Sequence, residues 1–318
     1  MKKIVFHSNQ LGLRGTEVAL FDYARYNEEI LGNASLVVFD GGSVDNREDV
    51  ICKFKKRFDV HEYALLDDFD EIVKRSGADC CYFIKSGYND GVISSACVNL
   101  VHAVFYAGLG HVHGERYAFV SKWLSSLDDY KVPYVPHIVD FPKVTGDLRA
   151  RLGIPKDAFV FGCYGGADTF NIPFVKQALL YTINTREDAW FIFMNINPFT
   201  SNERVIFLPG EGDIGKKALF INTCDAMLHG RDRGETFGLA CAEFAVSNRP
   251  VITYFDSPER SHIEILADRG IYYRDLKDIK SILASISHSY VRSRDWDAYS
   301  EAFSPTRVMK IFSDVFLS

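Results

Sequence analysis

The sequence predicts an α/β protein of two halves, each a parallel sheet with helices on both faces. Three observations predict it. Apolar runs of strand length alternate with amphipathic runs of helix length along most of the chain. The alternation pauses in residues 132–142, where Pro133, Pro136 and Pro142 interrupt any helical pattern, and then restarts. The length of 318 residues exceeds one ordinary α/β domain and suits two.

The elements follow in order. Residues 3–8 read as a buried strand, and a loop with Gly12 and Gly15 follows. Residues 16–31 read as a helix, with Thr16 as its N-cap and Val18, Leu20, Phe21, Tyr23 and Ala24 as an apolar face. Gly32 and Asn33 stop it. Strand 36–39, helix 48–58, strand 60–64, helix 67–76 and strand 80–84 continue the pattern, and segments 98–106 and 117–121 complete the half. Asp67, Asp68 and Asp70 are the acidic opening that the helix dipole favours. The second half begins with strand 159–164, which ends at Gly165 and Gly166. Helix 174–184, strands 190–195 and 205–208, helix 216–224, strand 226–229, helix 236–246 and strand 251–254 come next. Helical segments 263–267 and 276–286 flank a strand at 271–273. The tail spaces Val308, Ile311, Phe312, Val315 and Phe316 as one helical face that needs an apolar partner. The expected domains are residues 1–139 and 140–300, both Rossmann-like, with a C-terminal helix in 301–318 packing back on the body. In such sheets ligands bind beyond the carboxyl ends of the strands, where the loop of Gly12 and Gly15 lies.

Composition limits the function. With 47% hydrophobic and 25% charged residues the chain has the balance of a soluble globular protein. The net charge of −6 and the lack of a basic stripe argue against a nucleic-acid footprint. No C-x-x-C pair occurs among the cysteines, so zinc spacing is absent, and their odd count and apolar settings suggest reduced thiols in a cytoplasmic protein. Residues 1–8 are too short and too weakly apolar for a signal peptide. No apolar run approaches the ~20 residues of a membrane helix, which leaves peripheral membrane contact open.

The stretch richest in chemistry is RDRGETFGLACAEF, residues 231–244. Glu235 and Glu243 are eight residues apart, about two helical turns, so both carboxylates can line one side of a cleft. Carboxylates accept bidentate hydrogen bonds from sugar or ribose hydroxyls. Gly238 permits close backbone approach, and the first turn after it offers N–H groups to a phosphate. Arg231 and Arg233 add positive charge. The plainer reading is a solvated amphipathic helix. The neighbours Ala242, Phe244 and Ala245 weigh against it, because a carboxylate in apolar company needs a partner.

This stretch resembles the retaining glycosyltransferases of family 4, whose fold is called GT-B. The residues that carry the resemblance are GETFGLACAEF and the Arg249-Pro250-Val251-Ile252 that follows. FVSKWLSS from Phe119, VPYVPHIVDFP from Val132 and LRARLGIPKDAFVFGCYGG from Leu148 are similar to the family's serine turn, interdomain crossover and second-domain start. Arg14-Gly15-Thr16-Glu17 is similar, more weakly, to its glycine-rich first loop. The resemblance implies two GT-B-like, Rossmann-like domains facing across a cleft, the first on the acceptor side and the second on the nucleotide-sugar donor side. It implies that Glu235 faces the transferred sugar, that Glu243 holds the ribose, and that Thr236, Phe237, Gly238 and Leu239, with Gly165 and Gly166, meet the donor. It implies that Gly12, Arg14, Gly15 and Thr16 form a phosphate or acceptor loop and that His102, in VNLVHAVF, lies near the reacting carbon as a catalytic residue. The implied substrates are a UDP- or GDP-linked sugar and a glycan or other hydroxyl-bearing acceptor, with retention, no metal and no cofactor.

One departure stands out. The family places an arginine and a lysine shortly after the glycine that opens the second domain. Here Gly165-Gly166-Ala167-Asp168-Thr169-Phe170 has neither, and Lys176 comes later, within a helix. The expectation is that Arg231 or Arg233 takes over the phosphate. A non-catalytic nucleotide-sugar-binding or scaffold protein and a sugar-nucleotide epimerase are the alternatives. A DNA-modifying glucosyltransferase has the same general architecture, but the net charge does not favour it. His111 and His113 lack a carboxylate or cysteine to complete a metal set and read as loop residues, and His7 either reaches the cleft or packs.

Overall fold

The structure is a computed structural model and describes residues 1–318. The chain divides into two compact units, Met1–Ile138 with Phe303–Ser318, and Val139–Ala302. All seven cysteines are free, and no helix is long and apolar enough to cross a membrane.

Unit 1 is a six-stranded parallel sheet of β1 (Lys3–Ser8), β2 (Ala34–Asp40), β3 (Asp59–Tyr63), β4 (Cys80–Lys85), β5 (Val98–Ala103) and β6 (Arg116–Phe119), in the order β3-β2-β1-β4-β5-β6. The helices α1 (Gly15–Glu29), α2 (Glu48–Lys55), α3 (Leu66–Ser76) and α4 (Lys122–Ser126) belong to it. Ile4, Val5 and Phe6 are all buried, as a central parallel strand covered on both faces requires. The first helix begins earlier than its sequence suggests. Arg14, in extended backbone, is the N-cap, so Gly15 and Thr16 already lie in the first turn and Thr16 is not the cap.

Unit 2 repeats the plan. Its sheet consists of β7 (Phe159–Tyr164), β8 (Ala189–Met194), β9 (Val205–Leu208), β10 (Ala226–His229), β12 (Val251–Tyr254) and β14 (Gly270–Tyr273). The order β14-β12-β10-β7-β8-β9 is the unit 1 order in a second copy. Two short strands, β11 (Gly234–Glu235) and β13 (Glu259–Arg260), pair outside it. The helices are α5 (Arg149–Leu152), α6 (Pro173–Thr185), α7 (Ile214–Thr223), α8 (Leu239–Val246), α9 (Ser261–Leu266), α10 (Leu276–Ser285) and α11 (His288–Arg292).

The last helix, α12 (Pro305–Phe312), belongs to unit 1. The Phe312 ring stacks on Tyr23 at 5.3 Å, and Phe316 meets Tyr82 edge-on at 5.9 Å.

Both sheets have the strand order in which the chain reverses direction between two central strands, β1 and β4 in unit 1 and β7 and β10 in unit 2. Such switch points open a crevice beyond the carboxyl ends of the strands.

Candidate functional site

The unit 2 switch point gathers most of the residues singled out from sequence. Strand β7 ends at Tyr164, so Gly165 and Gly166 lie directly beyond it, and the Gly165 carbonyl accepts a 2.7 Å hydrogen bond from Asn195 Nδ2. Strand β10 ends at His229, which brings Arg231 and Glu235 to the same side of the sheet.

Helix α8 starts at Leu239, not at residue 236. The β11–β13 pairing holds residues 234–235 extended, and Gly238 then turns the chain with φ +89° as the helix N-cap. Gly234 has φ +78°, and a Cβ there would lie 2.0 Å from the Glu259 carbonyl oxygen, so both φ and space demand glycine. Thr236 and Phe237 therefore lie in the connection rather than in the helix. Phe237 is buried edge-on against Tyr299 at 5.9 Å. The first turn of α8, from Leu239, leaves N–H groups without intrahelical acceptors.

Because Glu235 precedes the helix, the two glutamates occupy separate networks rather than one helical face. Glu235 Oε1 accepts from Arg231 Nη1 at 3.0 Å and faces His229 Nε2 at 3.3 Å. Burial pushes its carboxyl up, but the His229 hydrogen bond and the Arg231 charge outweigh burial and hold it at about 2. Behind it, Thr253 Oγ1 lies 2.8 Å from His229 Nδ1 and 3.0 Å from His262 Nε2, all three residues buried. An ionised carboxylate only accepts, so His229 Nε2 donates to Glu235 Oε1. Burial holds His262 down at about 3, in keeping with a neutral ring.

Glu243 has other partners. Lys217 Nζ, from α7, donates to both carboxylate oxygens at 3.1 and 3.2 Å, and the Tyr164 hydroxyl donates to Oε2. The two charged side chains are 11% and 6% exposed, so this ion pair is buried. Sequence reading missed Lys217. The signal was its spacing: Lys217 stands three and four residues before the apolar Phe220 and Ile221, on the buried face of α7, where an ammonium requires a carboxylate. His229, Thr253, His262 and Tyr164 were missed as well, because only tertiary pairing gives them roles.

The loop after Gly166 contains no basic residue. Lys176 lies in α6 with its ammonium 5.0 Å from the Phe199 ring centroid. Of the two arginines, Arg231 reaches the site, whereas Arg233 is half-exposed and its Nε donates to Glu259 at 2.7 Å.

The unit 1 candidates behave differently. Gly12 lies in a loop tied to the segment after β2: Leu11 N–H donates to Asn46 Oδ1 at 2.8 Å, and a Cβ on Gly12 would lie 2.8 Å from the Asp45 carbonyl oxygen. Arg14 pairs with Asp45 at 2.7 Å on an exposed surface. Gly15 and Thr16 are helical, so the expected loop contains only Gly12 and Arg14 of the four. His102 is a correction. It has no exposed surface, its Nδ1 is 2.7 Å from the Tyr82 hydroxyl and its Nε2 is 2.8 Å from the Val135 carbonyl oxygen. Burial lowers its pKa to about 4. A ring with both nitrogens engaged among Tyr23, Tyr82, His137 and Phe316 packs the core and has no atom free for a reacting carbon. His7 is also a core residue, 2.8 Å from the Tyr63 hydroxyl and packed on Phe69 and Phe83. No group of three or more His, Cys, Asp or Glu side chains is arranged to hold a metal ion.

No protein-family profile matches the chain, and no curated protein matches it by sequence. Solved structures do. HepE of Anabaena, crystallised with UDP and glucose, is 14% identical with a TM-score of 0.74 over 100% of both chains. A glycosyltransferase from Rickettsia africae is 13% identical with a TM-score of 0.69, covering 99% of this chain and 98% of its own. A Listeria monocytogenes protein assigned as a UDP-N-acetylglucosamine 2-epimerase is 12% identical with a TM-score of 0.63, covering 98% of this chain and 95% of its own. The protein therefore has the fold of these structures, the two-domain α/β arrangement called GT-B.

Proposed function

We propose that the protein is a glycosyltransferase that moves a sugar from a nucleotide-sugar donor to a hydroxyl-bearing acceptor, with retention and without a metal. The observation that carries the reading is the unit 2 switch point: Gly165 and Gly166 follow β7, Glu243 accepts from Tyr164 at the end of β7, and Glu235 pairs with Arg231 beyond β10. Glu243, oriented by Lys217 and Tyr164, keeps one lone pair, on Oε1, for a ribose hydroxyl. The backbone of Phe237, Gly238 and Leu239 meets the diphosphate at the start of α8, and Arg231 supplies the charge that the loop after Gly166 lacks. Glu235, held ionised, faces the transferred sugar and stabilises positive charge developing at its anomeric carbon. In the transfer the acceptor oxygen bonds to that carbon, the carbon–phosphate oxygen bond breaks, and the nucleoside diphosphate leaves with the electron pair. The acceptor proton passes to the leaving group.

The first test is calorimetric titration with UDP, GDP, ADP and their sugar conjugates, with chelator present. One nucleotide should bind saturably, and Glu243→Ala should weaken that binding at least about tenfold. No binding across the panel would overturn the reading and favour a scaffold. The likeness to the Listeria protein keeps an epimerase in view, and incubation with donor alone separates the two, because an epimerase needs no acceptor. If Arg231→Ala and Arg233→Ala both bind donor like wild type, the phosphate is held elsewhere.

A further inference from the structure

Unit 1 has its own switch point between β1 and β4, and a cavity of about 650 Å³ opens there. Its walls come from the segments that leave β1, β2, β3 and β4 at their carboxyl ends. That volume is in the range of small-molecule sites. The chemistry of the walls is one-sided. The polar side chains are Asn9, Gln10, Asp40, Ser43, Tyr63 and Asp90, and no lysine, arginine or histidine lines the cavity.

The cations nearby are committed. Lys85, buried, donates to Asp90 and to the Val92 carbonyl. Arg14 is paired with Asp45. His7 is held neutral at about 3 by burial, and its Nε2 meets the Tyr63 hydroxyl. The wall is also oriented. Gln10 Nε2 donates to Glu17 at 2.7 Å, which leaves the Gln10 carbonyl oxygen as an acceptor. Asp40 accepts one backbone bond, from Gly42. The surface is thus rich in acceptors, carries one carboxylate without a cation, Asp40, beside the Asp90 that Lys85 neutralises, and has no unpaired cation. It suits ligands that bring many O–H donors and repels ligands that bring negative charge.

We propose that this groove binds the acceptor and that the acceptor is an uncharged saccharide, without phosphate, sulfate or carboxylate. The acceptor role rests on the transferase reading above, whereas the charge selectivity stands on the groove alone.

The test is saturation-transfer NMR on the full chain with methyl glucoside, maltose, glucose 6-phosphate and glucuronate as probes. Methyl glucoside and maltose should receive saturation and the two anions should not. Val44 lines the groove and is 99% exposed, so Val44→Lys adds a cation at no cost to folding. Asp40→Lys reverses a charge in the wall. Each variant should raise the glucose 6-phosphate signal at least about fivefold relative to maltose. Wild-type saturation of the anions equal to that of the neutral sugars, no saturation of any probe, or variants with unchanged preference would each overturn the proposal. Nucleotide titration of the same samples is read separately. Loss of nucleotide binding with retained sugar selectivity would remove the transferase reading and leave the saccharide groove standing.

Discussion

The two units have the same strand order and opposite treatments of buried charge. In unit 2 every buried carboxylate at the switch point has a cation: Arg231 for Glu235 and Lys217 for Glu243. In unit 1 the buried carboxylate behind the groove, Glu17, has none. Its Oε1 takes one amide hydrogen bond from Gln10, and its Oε2 has no partner. The pKa directions follow. Burial pushes Glu17 up to about 7 against its backbone and side-chain hydrogen bonds, whereas His229 and Arg231 overcome burial at Glu235 and hold it at about 2. The fold supplies two equivalent crevices, and the side chains give them different chemistry.

The sharpest way to break this comparison is to unpair the unit 2 ion pair. Lys217→Met leaves Glu243 buried without its cation and should destabilise the protein by about 3–5 kcal/mol in denaturant unfolding. Adding Glu243→Leu should recover most of that loss. A double variant no more stable than the single would show that the pair is not what holds α7 to α8.

The next effect separates the units by the sign of their pH dependence. Glu17 binds its proton more tightly folded than unfolded. Its contribution to stability is therefore full below about pH 4.5 and is lost as pH rises to about 7. Glu235 has the opposite sign, contributing above about pH 4.5 and losing that contribution as pH falls toward 2. Measured as wild type minus variant, Glu17→Gln and Glu235→Gln should show slopes of opposite sign, each worth about 3 kcal/mol across its window. Two slopes of the same sign would contradict the opposite proton affinities of Glu17 and Glu235.

Smaller effects test the proposed chemistry. Glu235→Ala should slow transfer by about a hundredfold with nucleotide affinity little changed, and Glu243→Ala should weaken nucleotide binding at least about tenfold. Wild-type rates in both variants would sink the glycosyltransferase reading. The smallest effect should come from Arg14→Ala, whose exposed pair with Asp45 is worth about 0–1 kcal/mol in a thermal melt.

The sequence by itself determined the α/β class, the alternation of strand and helix, and the stretch from Arg231 to Phe244 as the place to look. These are local properties: period, propensity, glycine and proline punctuation, and a charged residue in apolar company. Tertiary structure decided the rest, because it depends on residues far apart in the chain. Strand order sets the two switch points. Pairing of Gly234 with Glu259 moves the start of α8 to Leu239 and sends Glu235 to a different network from Glu243. Tyr164 and Lys217 lie 79 and 26 residues from the carboxylate they hold. His102 shows the limit most plainly. Its strand position is readable in sequence, but the Tyr82 hydroxyl and the Val135 carbonyl that occupy its nitrogens come from other segments, and they make it a core residue. A side chain's type and periodicity are written locally, whereas its partners, burial and proton affinity are set by whatever the fold brings beside it.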